Sequence, residues 1–448
     1  MNTPICDFVK AYAEKNALRL HMPGHKGSGF LGVEQLDITE VKGADSLYEA
    51  SGIIAESEKN ASKIFGFPTY YSTEGSSQCI RAMLYLAALR AKQLGKKPVI
   101  AAARNVHKTF LSAAALLDLD VVWLYPEKQQ SYLSCEISPQ WLDSFISNAN
   151  EKPSAVYLTS PDYLGLLADI KGISAVCRKH DIMLLIDNAH GAYLGFMEPS
   201  MHPIDLGADM CSASAHKTLP VLTGGAYLQL SPAFHDFVAA QVKTALALFG
   251  STSPSYLIMQ SLDNANSYLC SYADGLNSFV QHTDKIKKEL EEHGFTLYGN
   301  EPLKLSIAAK DWGYTGIEIS QLITEHNIIS EFADPDYVVF MLTPSIGTEG
   351  LERLKSALTA IPKRARITDC SPVFKKAEKC LSIREAALSV SEVIPVETSA
   401  GRVLSAATVG CPPAVPILVC GERIDEHAIE CFKYYGLDTC AVIKDEQC

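Results

Sequence analysis

Three short segments of the 448-residue sequence carry side chains that could act together on one small molecule. Lys217 stands among small residues in Ser214-Ala215-His216-Lys217, an environment that favours a neutral, nucleophilic amine. Asp187 ends an apolar run, and carboxylates at strand ends face the ligands of open α/β sheets. Gly75-Ser76-Ser77 precedes a predicted helix, whose first N–H groups can bind a phosphate together with the serine hydroxyls.

Each segment also has an ordinary structural explanation. Serine is favoured at helix N-caps without any ligand, a strand-end aspartate is a common turn residue, and most lysines are solvated surface charges. Their joint occurrence in this order is far more specific. Together they predict a site for pyridoxal 5'-phosphate (PLP). The lysine would hold the aldehyde of PLP as a Schiff base, the aspartate would keep its pyridine nitrogen protonated, and the helix N-terminus would bind its phosphate.

The elements that must position these residues alternate between strands and helices from residue 60 to about 230. Apolar periodicity predicts helices from residue 75, over 106–117 and over 173–180, and strands over 98–103, 120–125, 155–159 and 183–186. This alternation is typical of an α/β fold with a mostly parallel central sheet flanked by helices.

The pattern changes after about residue 265. Helices are predicted over 285–293 and 317–325 and strands over 303–309 and 337–342, and residues 386–402 and 412–422 suggest further α+β structure. We therefore expect an N-terminal arm (1–30), a large PLP-binding domain (31–265) and a smaller C-terminal α+β region (266–448).

Composition excludes several other classes of protein. A formal net charge of −12 argues against nucleic-acid binding, and no apolar run approaches the roughly 20 residues that span a membrane. Thirteen cysteines without a C-x-x-C spacing predict free thiols in a reduced, cytoplasmic protein. Pro23 and Gly24 prevent His21 and His25 from aligning on a helix, so no metal site is expected. Residues Gly27 to Gly32 match G-x-G-x-x-G, but no amphipathic helix follows them, so a loop is expected there rather than a dinucleotide-binding site.

These segments resemble the ornithine/lysine/arginine decarboxylase family of fold-type I PLP enzymes, in a short form without the N-terminal wing domain of longer members. The resemblance spans nearly the whole chain. Its motifs are His21–Gly27, Thr73–Ser77, Arg104–Lys108, Thr159–Gly165, Asp187–Gly191, Ser214–Lys217, Ser251–Tyr256, Pro412–Pro416 and Gly421–Ile424.

The resemblance implies a role for each matched residue. Lys217 would form the Schiff base with PLP, and Asp187 would pair with the pyridine nitrogen. His107 would stack on the cofactor ring, His190 would lie beside the cofactor, and His216 would contact phosphate or substrate. The phosphate would be held by Gly75, Ser76, Ser77 and Ser214. Lys217, His216 and His107 are thereby the candidate catalytic residues. The family places its sites at a subunit interface, which implies a homodimer or a higher homo-oligomer.

The implied reaction is the decarboxylation of arginine, lysine or ornithine to the amine and CO2, as in polyamine biosynthesis. A distal acidic group should hold the cationic end of this substrate, and Asp162 and Glu331 are candidates, with Asp334 near the latter. Asn188 and Gly224-Gly225 depart from the usual family pattern, which leaves the substrate open.

Two alternatives remain. A PLP-dependent aminotransferase or lyase of the same fold would use the same cofactor site, and an aminotransferase would need an arginine clamp for the α-carboxylate, for which Arg402 and Arg423 are candidates. A non-catalytic PLP-fold regulator is disfavoured because Lys217 and Asp187 are both intact.

Overall fold

The computed structural model of the protein describes residues 1–126, 131–369, 371–372, 375–406 and 414–444. The chain forms two compact units, each built from two stretches of sequence. The first unit comprises Met1–Lys97 and Met183–Asn277, and the second comprises Pro98–Ile182 and Ser278–Cys448. The predicted division into an arm, a large PLP-binding domain and a smaller C-terminal region, at residues 30 and 265, stays a prediction.

Strands and helices follow one another along both units. The strands are β1 (Thr69–Ser72), β2 (Val99–Ala103), β3 (Asp120–Leu124), β4 (Ala155–Thr159), β5 (Met183–Asp187), β6 (Met210–Ala213), β7 (Ala226–Leu230), β8 (Leu297–Tyr298), β9 (Lys304–Ala308), β10 (Phe332–Ala333), β11 (Tyr337–Met341), β12 (Ser391–Pro395) and β13 (Thr439–Ile443). The helices are α1 (Pro4–Glu14), α2 (Ile53–Phe65), α3 (Gly75–Gln93), α4 (Lys108–Leu117), α5 (Pro139–Ser147), α6 (Ile170–Lys179), α7 (Ala215–Thr218), α8 (Pro232–Ala247), α9 (Tyr256–Leu269), α10 (Tyr272–His293), α11 (Gly316–Thr324), α12 (Gly347–Thr359), α13 (Ile383–Ala387) and α14 (Glu426–Tyr434).

In the first unit the strands lie in the order β1-β7-β6-β5. Strands β5 and β6 are parallel, and their register places Asp187 opposite Ser212. Strand β7 is antiparallel to both β6 and β1, and helix α3 packs on β6 and β7. Because β5 is almost fully buried, its sequence is a continuous apolar run that ends only at Asp187.

The second unit holds three groups of strands. Strands β4, β2 and β3 are parallel neighbours, β10-β11-β9-β8 form an antiparallel sheet, and β12 pairs with β13. An apolar cluster around Leu404, Phe432 and Val442 packs beneath the β12–β13 pair. The predicted α/β fold with a mostly parallel sheet and a further α+β region is confirmed.

The predicted elements are present with ends shifted by a few residues. Helix α4 begins at Lys108 rather than at residue 106, because His107 has an extended backbone and caps the helix. The predicted helix over 285–293 is the end of the longer α10. Pro412 and Pro413, in the predicted C-terminal motif, lie outside the described residues. No helix in the described ranges is long and apolar enough to span a bilayer.

The N-terminal helix α1 is fastened by a carboxylate from a distant part of the first unit. Its own N-cap residue, Thr3, makes no side-chain capping bond. Instead, Asp263 of α9 accepts hydrogen bonds from the backbone N–H groups of Ile5 (2.9 Å) and Cys6 (3.0 Å). The other oxygen of Asp263 accepts the hydroxyl of Ser57 at 2.5 Å. This buried carboxylate therefore satisfies N–H groups that a helix start leaves unpaired.

We expect Asp263→Ala to lower the free energy of unfolding by about 3 kcal/mol, because buried N–H groups at the start of α1 would lose their acceptor. Urea denaturation measures this loss, and limited proteolysis should cleave the arm that precedes α2 faster than in the wild type. The exposed Asp274→Ala serves as the matched control. Equal stability and equal protection of the arm in both variants would refute this account of α1.

Candidate active site

Lys217 lies on a one-turn helix, α7, that follows directly on strand β6. The sequence predicts a strand or loop here, and the structure corrects this to a helical turn closed by the Leu219 N–H, which donates to the Ala215 carbonyl at 2.8 Å. Nζ of the partly buried Lys217 lies 2.8 Å from Nε2 of His190. The amine is therefore held at the end of a buried strand and in contact with an imidazole.

Asp187 and His190 flank a tight turn after the neighbouring strand β5. Asp187 is only 2% exposed, and its Oδ1 accepts from the Ala189 N–H at 3.2 Å and from the Ser212 hydroxyl at 3.4 Å. The turn is closed by the Gly191 N–H, which donates to the Asn188 carbonyl at 3.0 Å. Asn188 also donates its side-chain amide to the Gly191 carbonyl at 3.1 Å. These bonds fix the direction of His190 toward Lys217.

The predicted phosphate-binding segment, Gly75-Ser76-Ser77, forms the N-terminus of α3 in the same unit. Glu74 is the N-cap residue but provides no side-chain cap to the helix. Gly75 has a φ of +69°, and a Cβ at this position would meet no atom within 4 Å, so open space lies in front of the helix start. This uncapped, positively polarised end suits an anion.

The loop after Lys217 is joined to this helix start. The Gly75 N–H donates to the carbonyl of Gly224 at 2.7 Å. A Cβ on Gly224 would lie 2.9 Å from the carbonyl oxygen of Thr73, and its φ of +102° favours glycine as well. Gly224, which departs from the family pattern, is thus required by the close approach of two backbone segments.

Ser214 supplies the observation that tests whether a phosphate fits. Its hydroxyl is buried, with the residue 1% exposed, and has no hydrogen-bond partner among the described residues. A buried hydroxyl without a partner is costly unless a ligand satisfies it. Ser214 is the N-cap residue of α7, so this donor stands beside the helix that carries Lys217. PLP fits this set of groups: the Ser214 hydroxyl and the uncapped start of α3, with Ser76 and Ser77, suit its phosphate. The Lys217 amine and the Asp187 carboxylate suit its aldehyde and its pyridine nitrogen.

His216 is held by its own loop. Its Nδ1 lies 3.0 Å from the Gly225 carbonyl oxygen, and because a carbonyl only accepts, the proton is assigned to Nδ1. Burial lowers the pKa of His216 below its usual value, and the hydrogen bond to Gly225 offsets only part of this effect. Near neutral pH His216 is therefore uncharged, with Nε2 available as a proton acceptor.

The other predicted site residues belong to the second unit. His107 caps α4 through Nδ1, which accepts the Thr109 N–H at 3.2 Å, and its stacking on a cofactor stays a prediction. Asp162 is buried and accepts from Ser134 (2.5 Å) and Leu166 (2.8 Å), and burial raises its pKa.

The two remaining acidic candidates differ in exposure. Glu331 is exposed and accepts the Tyr163 hydroxyl at 3.2 Å. Asp334 is buried and accepts the backbone N–H groups of Asp336 and Tyr337, both at 2.7 Å. Burial raises the pKa of Asp334 to about 7. Of the two, Glu331 alone presents an accessible carboxylate.

Sequence reasoning missed two features of the site. The contact between Lys217 and His190 joins residues 27 positions apart, and no local pattern indicates it. The carboxylate of Glu74 accepts the backbone N–H of Ser251, which brings the predicted Ser251–Tyr256 segment to the start of α3. A signal for the close backbone approach was available in the Gly224-Gly225 pair, because adjacent glycines often mark such places.

Comparison with known proteins places this site in a family. The model of the Orn/Lys/Arg decarboxylase major domain matches residues 3–299. The chain belongs to this decarboxylase family. Its members are PLP enzymes, and the protein is accordingly a PLP-dependent amino-acid decarboxylase.

Individual relatives of this decarboxylase agree with the family match. An arginine decarboxylase of Halalkalibacterium halodurans is 29% identical over 457 residues, which cover 95% of this chain and 91% of the relative. One from Bacillus subtilis is 28% identical over 467 residues, covering 95% and 92%. The crystal structure of a lysine decarboxylase of Francisella novicida has a TM-score of 0.80 at 16% identity, covering 99% of this chain and 81% of that one, and shows the shared fold.

We expect Gly224→Ala to weaken PLP binding by the decarboxylase at least about tenfold, because a Cβ would push the Thr73 backbone away from the start of α3. Titration of the apoprotein with PLP, followed by absorption, measures the affinity. In Gly275→Ala, the control on α10, the added Cβ meets no atom within 4 Å. An unchanged PLP affinity in Gly224→Ala would show that this backbone contact does not shape the phosphate site.

Proposed function

We propose that the protein decarboxylates a basic L-amino acid, namely arginine, lysine or ornithine, with Lys217 as the covalent anchor of PLP. The observation that carries this proposal is the arrangement of Lys217, Asp187 and the partnerless Ser214 hydroxyl at the ends of adjacent strands. Two bacterial relatives named arginine decarboxylase make arginine the first substrate to test.

Three groups of the chain would hold the cofactor. The Ser214 hydroxyl and the first turn of α3, with Gly75, Ser76 and Ser77, would bind its phosphate. Asp187, whose carboxylate is oriented by Ala189 and Ser212, would keep a proton on the pyridine nitrogen. When bound, PLP supplies an electron sink for the electron pair that the departing carboxylate leaves at Cα.

The chain's residues also account for proton transfer at Cα. Lys217 Nζ is the proposed proton donor, because it becomes a free amine when the substrate takes its place on the cofactor. His216 suits this task less well, since its Nδ1 is engaged by Gly225 and its lowered pKa leaves it uncharged near pH 7. The proposed role of His216 is therefore contact with phosphate or substrate through Nε2.

Glu331 is the better of the two proposed ligands for the distal cation of the substrate. Its carboxylate is exposed and oriented by the Tyr163 hydroxyl. Both oxygens of Asp162, in contrast, are engaged, one by the Ser134 hydroxyl and the other by the Leu166 N–H, and burial raises the pKa of this acid. Asp162 thus supports the loop that carries Tyr163, next to it in sequence.

The aminotransferase alternative has less support. Arg402 forms an ion pair with Glu392 at 2.7 Å, and Arg423 forms one with Glu378 at 2.8 Å. Both arginines are thus committed within the second unit, and neither is a candidate for clamping a substrate α-carboxylate.

We also propose that the enzyme acts as a homodimer in the cytoplasm, with sites at the subunit interface. Residues 18–31 expose four large apolar side chains, Leu18, Leu20, Phe30 and Leu31, and exposed apolar surface is typical of interfaces. The ten cysteines in the described part of the chain are free thiols, which supports a reducing compartment.

Carboxyl-labelled arginine, lysine and ornithine distinguish the possible reactions. We expect the purified enzyme with PLP to release labelled CO2 from at least one of the three and to form the corresponding amine. Trapping the released CO2 measures the activity, and chromatography identifies the product. Formation of a keto acid without CO2 from all three substrates would replace this proposal with an aminotransferase.

Glu331→Gln should raise KM for the preferred basic substrate about tenfold with little change in kcat, because a charged hydrogen bond to the distal cation is lost in both ground and transition states. An uncharged isostere of that substrate should show no such rise. Glu325→Gln, an exposed change near the end of α11, is the control. An unchanged KM in Glu331→Gln would remove Glu331 from the site.

A further inference from the structure

The proposed reaction requires one proton per turnover. The bond between Cα and the carboxylate breaks, CO2 leaves without a proton, and the electron pair that remains at Cα takes up H⁺ to form a C–H bond. If Lys217 delivers this proton, its amine, which is uncharged when the substrate displaces it, must first take one up from another group. On the basis of the proposed decarboxylation, the structure points to that group.

His190 has the contact that such a group needs. Its Nε2 lies 2.8 Å from Nζ of Lys217, within the distance over which a positioned acid or base transfers a proton directly. The residue is 6% exposed, so bulk water has little access to compete at this contact. An imidazole exchanges protons near neutral pH more readily than any other side chain.

The backbone around His190 holds the ring in place. The Asn188 N–H donates to the Ser212 carbonyl on the adjacent strand at 2.8 Å, and Asn188 and Gly191 close the turn with two further bonds. Ser212 lies on β6, the strand that leads into the helix of Lys217. The turn that carries His190 is thus hydrogen-bonded to the strand that leads to Lys217. This backbone connection helps to set the distance between Nε2 of His190 and Nζ of Lys217.

His216, the other imidazole near Lys217 in sequence, lacks this geometry. Its Nδ1–H is bound to the Gly225 carbonyl at 3.0 Å, so this proton is engaged by the backbone. The resemblance makes His216 a candidate catalytic residue, whereas the imidazole 2.8 Å from the Lys217 amine is that of His190.

We propose that His190 protonates the amine of Lys217 once the substrate has taken its place on the cofactor. In this first transfer the Nε2–H bond of His190 breaks and an N–H bond forms at Nζ. In the second, an N–H bond of Lys217 breaks and the C–H bond at Cα forms, which leaves Lys217 as a neutral amine that can bond to the cofactor again. His190 takes a proton from water between turnovers, so that each turnover consumes one H⁺ and no oxidant or reductant. With a protonated lysine, Nε2 is the acceptor of the same hydrogen bond.

The contact itself can be tested without catalysis. In the full-length chain freed of cofactor, an amine-reactive reagent labels Lys217 only in its neutral form, and mass spectrometry of the Lys217 peptide gives the pH midpoint of labelling. His190→Leu fills the space but removes the acceptor, so the midpoint should fall by about one pH unit, which is tenfold more neutral amine at a given pH. His190→Gln keeps an acceptor and should retain most of the wild-type midpoint.

His235→Gln is the matched control. This histidine lies on helix α8 of the same unit, and its Nε2 is 2.7 Å from the Tyr70 hydroxyl rather than from Lys217. It should leave the labelling midpoint unchanged. If His190→Leu leaves the midpoint where the wild type has it, the two side chains do not share a proton and the inference fails. This result is independent of whether the wild-type enzyme releases CO2.

Proton delivery from His190 to Lys217 is tested in the active holoenzyme. His190→Gln can accept a hydrogen bond but cannot relay a proton, so kcat should fall about a hundredfold while KM stays within about twofold. Added imidazole should raise kcat of His190→Ala at least about tenfold above its value without imidazole, and the size of this increase should depend on pH. Wild-type kcat in His190→Gln would overturn the relay, whereas absence of CO2 release from the wild type would overturn the proposed function instead.

Discussion

The parallel pairing of β5 with β6 is the constraint on which the site depends. Its register sets Asp187 opposite Ser212, so both strands end at the same edge of the sheet. The turn after β5 then presents His190, and the helix after β6 presents Lys217, with 2.8 Å between their nitrogens. A shift of one residue in this register would turn Asp187 to the other face and separate the pair.

Backbone contacts complete what the strand pairing begins. The Gly75 N–H binds the Gly224 carbonyl, and this bond joins the loop after Lys217 to the start of α3. The start of α3 and the amine therefore belong to one hydrogen-bonded framework. Rigid positioning of this kind is what allows an active site to orient a reacting group before the reaction begins.

Much of the fold follows from local sequence patterns. Strands β2, β4 and β5 are buried apolar runs, and helices α3 and α4 carry apolar residues at helical spacing, so periodicity predicts them. Strand β6, Met210–Ala213, was not predicted because four residues that include serine and alanine give no apolar pattern. The burial of β6 is decided by its neighbours in the sheet, which only the tertiary structure reveals.

The candidate site shows the same division. Lys217, Asp187 and the start of α3 could be proposed from the sequence because each lies at an element end with a chemical signature. The contact of His190 with Lys217 and the fastening of α1 by Asp263 join residues far apart in sequence, and no spacing encodes them. The departure at Gly224 was visible in the sequence, but its cause, the closeness of Thr73, was not.

The central claim is that Lys217 is the residue that holds the cofactor. Reduction of the holoenzyme with borohydride, followed by proteolysis and mass spectrometry, tests it most directly. The account predicts a pyridoxyl phosphate adduct on the peptide that contains Lys217 and on no other lysine. An adduct on a different lysine, or a reduced protein without any adduct, would contradict it.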